Sequence, residues 1–348
     1  MAKRKSAYAQ AGVDIDEMNV ALRRAKRLIK GTATKGVCSD IGSFGGLFAA
    51  PGTDELLVAS TDGVGTKLKV AVMANRHDTV GQDIVNHCVN DILTQGARPL
   101  FFLDYLGTSK LKAAVLHGIV KGLTKACREN GCALLGGETA EMPGLYPPNE
   151  YDLVGTIVGA VKRRRIVTGQ TIRPGDAIIG LPANGLHTNG YSLARKAIFE
   201  SAGLTVRDTF PGTKQTVGDV LLAVHRSYYR PVSALLRHVK VRGLAHITGG
   251  GLLDNVPRIL PNDANAVFDC AEWRVPRLFR FLQEHGNVDR TEMYRVFNMG
   301  IGMAVIVRRK DARQACELLT RHKARPRVVG HIERAARGVT LAGRHPDE

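Results

Sequence analysis

The sequence has no hydrophobic run long enough to cross a membrane. None of its apolar stretches approaches the ~18 residues that a spanning helix requires. Three of the first five residues are basic, and no apolar signal region follows them. These absences predict a cytoplasmic protein with no membrane partner.

Paired metal-type cysteines and the common phosphate-binding motifs are also missing. The chain has six cysteines, and none forms a C-x-x-C pair or lies at zinc-finger spacing from a histidine. Free thiols in a reducing compartment are therefore expected. There is no Walker A pattern, and no G-x-G-x-x-G follows a predicted strand, so the most familiar nucleotide-binding folds are not expected. No Ser/His/Asp or Cys/His set stands out either.

Aromatic residues are scarce, at 5%, whereas 49 Lys and Arg against 32 Asp and Glu give a net charge of +17. Such a charge is typical of nucleic-acid binding. Here the basic residues are spread along the chain, and few aromatic rings are available to stack on bases. Attraction of small phosphorylated substrates is the favoured interpretation, and a nucleic-acid partner is not expected. A basic RNA- or DNA-binding protein remains the alternative, and its affinity would fall steeply with salt.

The chain, with 348 residues, is long for a single core and predicts two domains. A basic and polar segment at 162–174 marks the boundary, giving domains 1–168 and 169–348. Hydrophobic patterning predicts strands at 55–59, 99–106, 132–135, 151–161, 176–181 and 303–307, with two short strands near Val328 and Val339. It predicts helices ending near Lys30 and at 68–74, 81–95, 109–130, 190–200, 252–259 and 309–320.

The stretch STDGVGTK at residues 60–67 follows the first predicted strand. Its glycines allow backbone N–H groups to approach a phosphate closely. Asp62 offers oxygen ligands to a hard cation, and Lys67 offers a point charge to a phosphate. This pattern predicts a nucleotide and magnesium site at the end of a strand. The alternative is a tight surface turn with a solvated lysine.

Two further carboxylates fall near the ends of elements in the same half. On the predicted helix 81–95, His87 and Asp91 are four residues apart and share a face that is rich in Asn, His and Asp. Glu138 lies in the segment GGETAEMPG, directly after a predicted strand. Magnesium takes one or two carboxylates together with phosphate oxygens. Asp62, Asp91 and Glu138 are therefore the predicted magnesium ligands, directly or through water.

Two polar loops precede predicted helices in the second half. One carries His187 and Asn189, and the other carries His246 and Thr248 followed by three glycines beginning at Gly249. Loops of this kind at a helix N-terminus suit an anion. The alternative for either histidine is an ordinary hydrogen-bonded structural residue.

Several segments taken together resemble the phosphoribosylformylglycinamidine cyclo-ligase family. They are STDGVGTK, CVNDI, FFLDY, GGETAEMPG, NGYSL, HITGGG and MYRVFNMG, in that order. The resemblance extends from Tyr8 to about Gly330 and implies an α/β (α+β) subunit with two domains. It implies a homodimer in which the N-terminal ATP-binding sheets pair into a barrel, and a sandwich-like C-terminal α/β domain. The implied reaction is ATP-dependent closure of formylglycinamidine ribonucleotide to 5-aminoimidazole ribonucleotide through an iminophosphate.

The resemblance also assigns roles to individual residues, with ATP and Mg²⁺ as cofactors and the need for K⁺ left open. His187 and His246 are the expected catalytic residues, and the expected metal ligands are those given above. The expected ATP contacts are Lys30, Gly45, Gly46, Thr61, Asp62, Gly63, Gly65, Thr66, Lys67, Asp91 and Gly137. The expected substrate contacts are His187, Asn189, His246, Thr248 and Gly249. Residues 42–46 are expected to form a mobile cover, although a flexible connection is an equal alternative.

Other interpretations within the same superfamily are a small-molecule kinase and a selenophosphate synthetase. The second requires a reactive cysteine beside a glycine–lysine loop, and Cys38 lacks that setting. A catalytically dead scaffold is a third alternative, against which the intact Asp62, Lys67, Asp91 and Glu138 argue.

Overall fold

The first sheet of the protein has five strands and covers the N-terminal half. The structure is a computed structural model that describes residues 6–346. The strands lie in the order β1–β2–β5–β3–β4, with β3 and β4 parallel and the other neighbours antiparallel. Their bounds are β1 Gly46–Ala49, β2 Glu55–Gly63, β3 Arg98–Thr108, β4 Ala133–Glu141 and β5 Tyr151–Lys162. Alternate residues of β5 are buried, as expected for a strand with one covered face.

The second sheet has six strands in the order β11–β8–β10–β6–β9–β7. Only β11 and β8 are parallel. The bounds are β6 Ala177–Pro182, β7 Val241–His246, β8 Ala264–Asp269, β9 Ile301–Val307, β10 Arg327–Arg334 and β11 Gly338–Ala342. Every residue of β9 is buried, which explains its continuous apolar sequence. The chain therefore forms a mixed α/β protein with two sheets, as predicted.

Twelve α-helices connect and cover these sheets in the described part of the chain. They are α1 Ala7–Gln10, α2 Ile15–Lys30, α3 Lys67–Met73, α4 Val80–Leu93, α5 Ala113–Asn130, α6 Tyr191–Arg195, α7 Val217–Leu221, α8 Tyr229–His238, α9 Gly251–Asn255, α10 Arg277–Gly286, α11 Arg290–Val296 and α12 Ala312–Arg321. A π-helical turn at Lys196–Ser201 continues α6. No helix of the described residues is both long and apolar enough to span a bilayer.

Helix α4 lies between the two halves, and every one of its residues is buried. Its apolar side packs on β2, β3 and β5, while its other side faces α8 and β7 of the second half. An amphipathic sequence normally exposes its polar side to water. Here the polar side of α4 faces the second domain, so its Asn, His and Asp residues form part of the interdomain contact.

Some predicted elements differ from the observed ones. Strand β2 continues through Asp62 to Gly63, because β5 pairs with it along this whole length. Strand β4 likewise continues through Glu138 to Glu141, paired with β3. Helix α5 begins at Ala113 rather than near Ser109. The segment around Gly46 belongs to strand β1, and sequence reasoning missed β1, β7 and β8.

Candidate active site

The polar side of α4 carries three ionisable residues at a spacing of four. Asp83, His87 and Asp91 are all buried and follow one another along a single face of the helix. Asp83 contacts Lys67, whereas His87 and Asp91 face Asp62 of β2 and His246 of β7. One helix face therefore organises two separate groups of charges.

The second group joins the two domains through short polar contacts. The Nε2 atom of His87 lies 2.8 Å from Asp62 Oδ2 and 3.7 Å from Asp91 Oδ2. His246 Nδ1 lies 2.8 Å from Asp91 Oδ1, and the Ser60 hydroxyl donates to Asp91 Oδ2 at 3.1 Å. The Asp62 side chain is 41% exposed, so this group opens to solvent on one side. We call Asp62, His87, Asp91 and His246 the interdomain cluster.

Electrostatics favour a positive charge between the two carboxylates of the cluster. Burial alone would lower the pKa of His87, but Asp62 and Asp91 outweigh it and raise that pKa to about 9. Burial likewise works to raise the pKa of Asp62, yet His87 holds it below its ordinary value. For His246, burial lowers the pKa despite the neighbouring Asp91. The carboxylates of Asp62 and Asp91 therefore suit a bound cation, which would supply the charge that His87 otherwise provides.

A layer of buried polar residues supports the cluster from the second domain. His87 Nδ1 lies 2.7 Å from the Thr188 hydroxyl, and His225 Nε2 lies 3.0 Å from His246 Nε2. Asn86 donates to the carbonyl of His225 at 2.8 Å, and Asn90 donates to that of Arg226 at 2.8 Å. Backbone carbonyls of loop 222–228 thus accept hydrogen bonds from the side-chain amides of α4. This explains why asparagines occupy this buried helix face.

Lys67 takes a position that its motif did not predict. Its side chain is fully buried, and Nζ lies 2.8 Å from Asp83 Oδ2, which is equally buried. Nζ also donates to the carbonyls of His187 at 3.1 Å and Ala223 at 2.8 Å. The ammonium group is thus surrounded by three protein oxygens and closed off from solvent. The structure pairs Lys67 with Asp83, and the expected phosphate contact stays a prediction.

Glu138 is also separated from the other two predicted metal ligands within the subunit. Across the sheet, Asp62 is paired with Gly155 of β5, and Gly155 is paired with Asp104 of β3. Glu138 of β4 is paired with Tyr105, the residue after Asp104, and so belongs to the adjacent row of paired residues. Adjacent rows point to opposite faces of a sheet. Glu138 is exposed. Strand β4 lies three strand spacings of about 4.8 Å each from β2, so Glu138 is ~14 Å from the backbone of β2. The structure brings Asp62 and Asp91 together and leaves Glu138 on the other face.

Comparison with known families shows to which family the chain belongs. The model for the N-terminal domain of AIR synthase related proteins matches residues 43–161, and the model for the C-terminal domain matches residues 173–341. The phosphoribosylformylglycinamidine cyclo-ligase of Geotalea daltonii is 49% identical over 97% of this chain and 98% of its own length. The chain belongs to the phosphoribosylformylglycinamidine cyclo-ligase family. The predicted resemblance is thereby confirmed.

Solved structures show the same fold outside the cyclo-ligase family. Thiamine-monophosphate kinase from Stenotrophomonas maltophilia K279a has a TM-score of 0.64 and 18% identity, over 93% of this chain and 96% of that one. The hydrogenase maturation protein HypE in complex with ATP has a TM-score of 0.61 and 20% identity, over 95% and 92% of the two chains. At such identities the likeness concerns the fold alone.

The glycine-rich segment of this cyclo-ligase family member lies close to the interdomain cluster. The Arg258 guanidinium stacks on the Phe44 ring at 3.9 Å and donates from Nε to the carbonyl of Gly42 at 3.0 Å. A second bond, from Nη1 at 3.1 Å, reaches Asn255. Burial lowers the pKa of Arg258, and Asp91 is the carboxylate that opposes this shift. Arg258 therefore ties residues 42–44 to the second domain beside Asp91.

The other residues predicted to contact ATP differ in how exposed they are to solvent. A Cβ atom at Gly45 would lie 2.9 Å from side-chain atoms of Gln95 and Val58, so a larger residue there would have to displace them. The exposed Lys30 pairs with Asp40 at 3.0 Å, and Thr61 bonds Thr156 on the uncovered face. Thr66 bonds Ser192 at 3.2 Å, across the interdomain cleft. Gly46 lies in β1, Gly63 at the end of β2, Gly65 in the following turn and Gly137 in β4 beside Asp104.

The residues predicted on the substrate side separate into buried and accessible ones. His187 and His246 have at most 1% of their surface exposed. His187 Nε2 lies 3.1 Å from Asn184 Oδ1, and its ring stacks on that of His225. Both imidazoles are enclosed by protein in this arrangement. By contrast, Gly249 is exposed, and Asn189 and Thr248 are half-buried.

Sequence reasoning missed several residues that shape the site. Asp83 had a detectable signal, since it lies four residues before His87 on one helix. His225 and Arg258 had none, because they lie in a loop and a short turn without a recognisable motif. Their roles depend on contacts with residues more than 100 positions away, such as that between Asn86 and the carbonyl of His225.

Proposed function

We propose that this chain is an ATP-dependent cyclo-ligase that closes formylglycinamidine ribonucleotide to 5-aminoimidazole ribonucleotide, with release of ADP and phosphate. The observation that carries the proposal is the 49% identity with a cyclo-ligase over almost all of both chains. The interdomain cluster supports it, because two carboxylates, the partly exposed Asp62 and the buried Asp91, lie where the two domains meet. Expected roles of individual residues follow from their positions.

The chemical problem is a poor electrophile with a poor leaving group. The formyl amide oxygen attacks the γ-phosphorus of ATP, and ADP leaves. The amidine nitrogen then attacks the activated carbon, a proton is lost, and phosphate departs with the former amide oxygen. The protein contributes mainly by positioning the reacting groups and by stabilising charge. We assign the positioning of ATP to residues 42–46 and the turn around Gly65, and that of the ribonucleotide to Asn189, Thr248 and Gly249.

Asp62 and Asp91 are the proposed ligands of the cation that accompanies ATP. A divalent ion at this point would neutralise phosphate charge. His246 has a positioning role, since its Nδ1 holds Asp91 Oδ1 at 2.8 Å. Glu138 and Lys67 are left out of the proposed site because of the positions described above. The need for potassium stays open.

A homodimer is part of the proposal. The face of the first sheet opposite α4 carries the exposed apolar side chains of Phe48, Leu103 and Leu135. An apolar surface of this kind on a sheet favours association with another protein surface. Pairing with a second copy, as the family resemblance implies, would cover it. Sedimentation equilibrium should then give twice the mass of one chain, which is 37.7 kDa.

The decisive experiment is to incubate the purified protein with formylglycinamidine ribonucleotide, ATP and magnesium. We expect 5-aminoimidazole ribonucleotide and one ADP for each ring closed. Formation of a phosphorylated substrate without ring closure would favour a small-molecule kinase instead. ATP left intact with every combination of components would contradict the proposal.

A further inference from the structure

One ring nitrogen in the interdomain cluster faces two carboxylates. His87 is 2% exposed, and its Nε2 lies 2.8 Å from Asp62 Oδ2 and 3.7 Å from Asp91 Oδ2. A buried imidazole nitrogen in this position is satisfied either by its own proton, shared with a carboxylate, or by a cation that takes the place of that proton.

The atoms around this nitrogen are spaced like ligands of a single metal ion. Two ligand atoms that are each ~2.1 Å from an ion lie about 3.0 Å apart at a right angle and about 3.4 Å apart at the tetrahedral angle. His87 Nε2 is 2.8 Å from Asp62 Oδ2 and 3.7 Å from Asp91 Oδ2. Ligand atoms of His87, Asp91 and His246 also lie within 4.8 Å of one another.

Neighbouring residues orient the potential ligands through hydrogen bonds, as the residues behind the ligands do in known metal sites. His87 Nδ1 is fixed by the Thr188 hydroxyl at 2.7 Å, which leaves Nε2 facing the carboxylates. Asp91 is fixed through its other oxygen by His246 Nδ1 at 2.8 Å. Such second partners set the tautomer of a metal-binding histidine and the orientation of a metal-binding carboxylate. The supports needed for a nitrogen-containing site are therefore in place.

We propose that His87 Nε2 joins Asp62 and Asp91 as a metal ligand, and that the site prefers Mn²⁺, Co²⁺ or Zn²⁺ to Mg²⁺. Imidazole suits Zn²⁺ well and Mn²⁺, the weakest binder of the first-row divalent series, less well, whereas Mg²⁺ favours oxygen ligands and water. The inference deepens the proposed function, because it concerns the cation expected beside ATP at the same two carboxylates. It does not depend on the reaction, since an ion can bind without nucleotide or substrate.

The test is to load the purified full-length protein with Mn²⁺ alone and record its pulsed electron paramagnetic resonance. We expect modulation from a directly bound ¹⁴N, which changes to the ¹⁵N pattern when the histidines are labelled with ¹⁵N. In His87→Gln, the nitrogen modulation should disappear and Mn²⁺ should bind at least about tenfold more weakly. Mg²⁺ affinity, measured by competition, should change by less than about threefold, because Mg²⁺ makes little use of the imidazole.

The matched control is His117→Gln, which makes the same exchange at an exposed position of α5. It should keep both the nitrogen signal and the Mn²⁺ affinity of the wild type. Should His87→Gln fail to fold, the isotope experiment on the unmutated protein still decides. Oxygen-only coordination in the wild type, or Mn²⁺ affinity equal in His87→Gln and wild type, would overturn the inference.

Ring closure with Mg²⁺ is measured in parallel to separate the two proposals. Ring closure without nitrogen coordination removes His87 as a ligand and leaves the proposed function standing. Nitrogen coordination without ring closure would support His87 as a ligand and would contradict the proposed function.

Discussion

Helix α4 carries two buried carboxylates, Asp83 and Asp91, whose surroundings differ in one respect. Asp83 and its partner Lys67 are both fully enclosed, and the lysine also contacts two backbone carbonyls. Asp91 belongs to a group in which the Asp62 side chain stays 41% exposed. The enclosed pair is closed off from solvent, whereas a ligand can reach the open group through Asp62. Access to solvent, rather than residue type, thus separates the structural pair from the candidate site.

The largest expected effect comes from breaking the enclosed pair. Lys67→Met leaves the Asp83 carboxylate buried without its cation, and we expect the free energy of unfolding to fall by about 3–5 kcal/mol. Adding Asp83→Asn should recover most of this loss, since no charge stays buried and the introduced amide oxygen can still accept from the backbone N–H of His225. Urea unfolding followed by circular dichroism measures both variants. A stable Lys67→Met protein that binds ATP poorly would show instead that Lys67 contacts the nucleotide.

Breaking the open group should affect activity more than folding. In Asp91→Asn the shape and the hydrogen bond from His246 are kept while the charge is lost, and we expect the rate of ring closure to fall ~10²–10³-fold. The unfolding free energy should drop by only about 1–2 kcal/mol. Steady-state assays and urea unfolding provide the two numbers. Near wild-type turnover would remove Asp91 from the site.

A smaller effect is expected at the residue that joins the glycine-rich segment to the open group. Arg258→Lys keeps the charge near Asp91 but loses the planar stacking on Phe44 and the fixed pair of hydrogen bonds. We expect about a tenfold loss in kcat/KM for ATP, equivalent to about 1.4 kcal/mol, and faster hydrogen exchange at residues 42–46. Unchanged exchange in that segment would show that Arg258 does not hold it.

The smallest effect is expected where an ion pair is neither enclosed nor part of the site. Arg98 pairs with Glu55 at 3.1 Å, with 54% of the arginine side chain exposed. Solvent screens such a pair, so Arg98→Ala should change the unfolding free energy by less than about 1 kcal/mol. Turnover should equal that of the wild type. A loss comparable to that of Lys67→Met would contradict the distinction drawn between enclosed and exposed pairs.

The sequence predicted the helix that carries both groups, because helical spacing is a local property. It also placed Asp62 and Asp91 in one site, and the structure has an oxygen of each within 3.7 Å of His87 Nε2. It could not predict the burial of Lys67, since a lysine after two glycines has the same local pattern whether it meets a phosphate or Asp83. It could not predict that Glu138 faces away, because this depends on the register of β4 against β3. The contributions of His225 and Arg258 come from the second domain and leave no trace near the N-terminal motifs.

The position of α4 between the two sheets has a consequence for any attempt to divide the chain. A fragment ending near residue 168 would keep the helix but lose loop 222–228, leaving Asn86 and Asn90 without the carbonyls to which they donate. The complementary fragment would keep those carbonyls and lack the helix. Neither fragment would then contain the complete candidate site. Mixing the two would restore it only if the contact between α4 and loop 222–228 formed again.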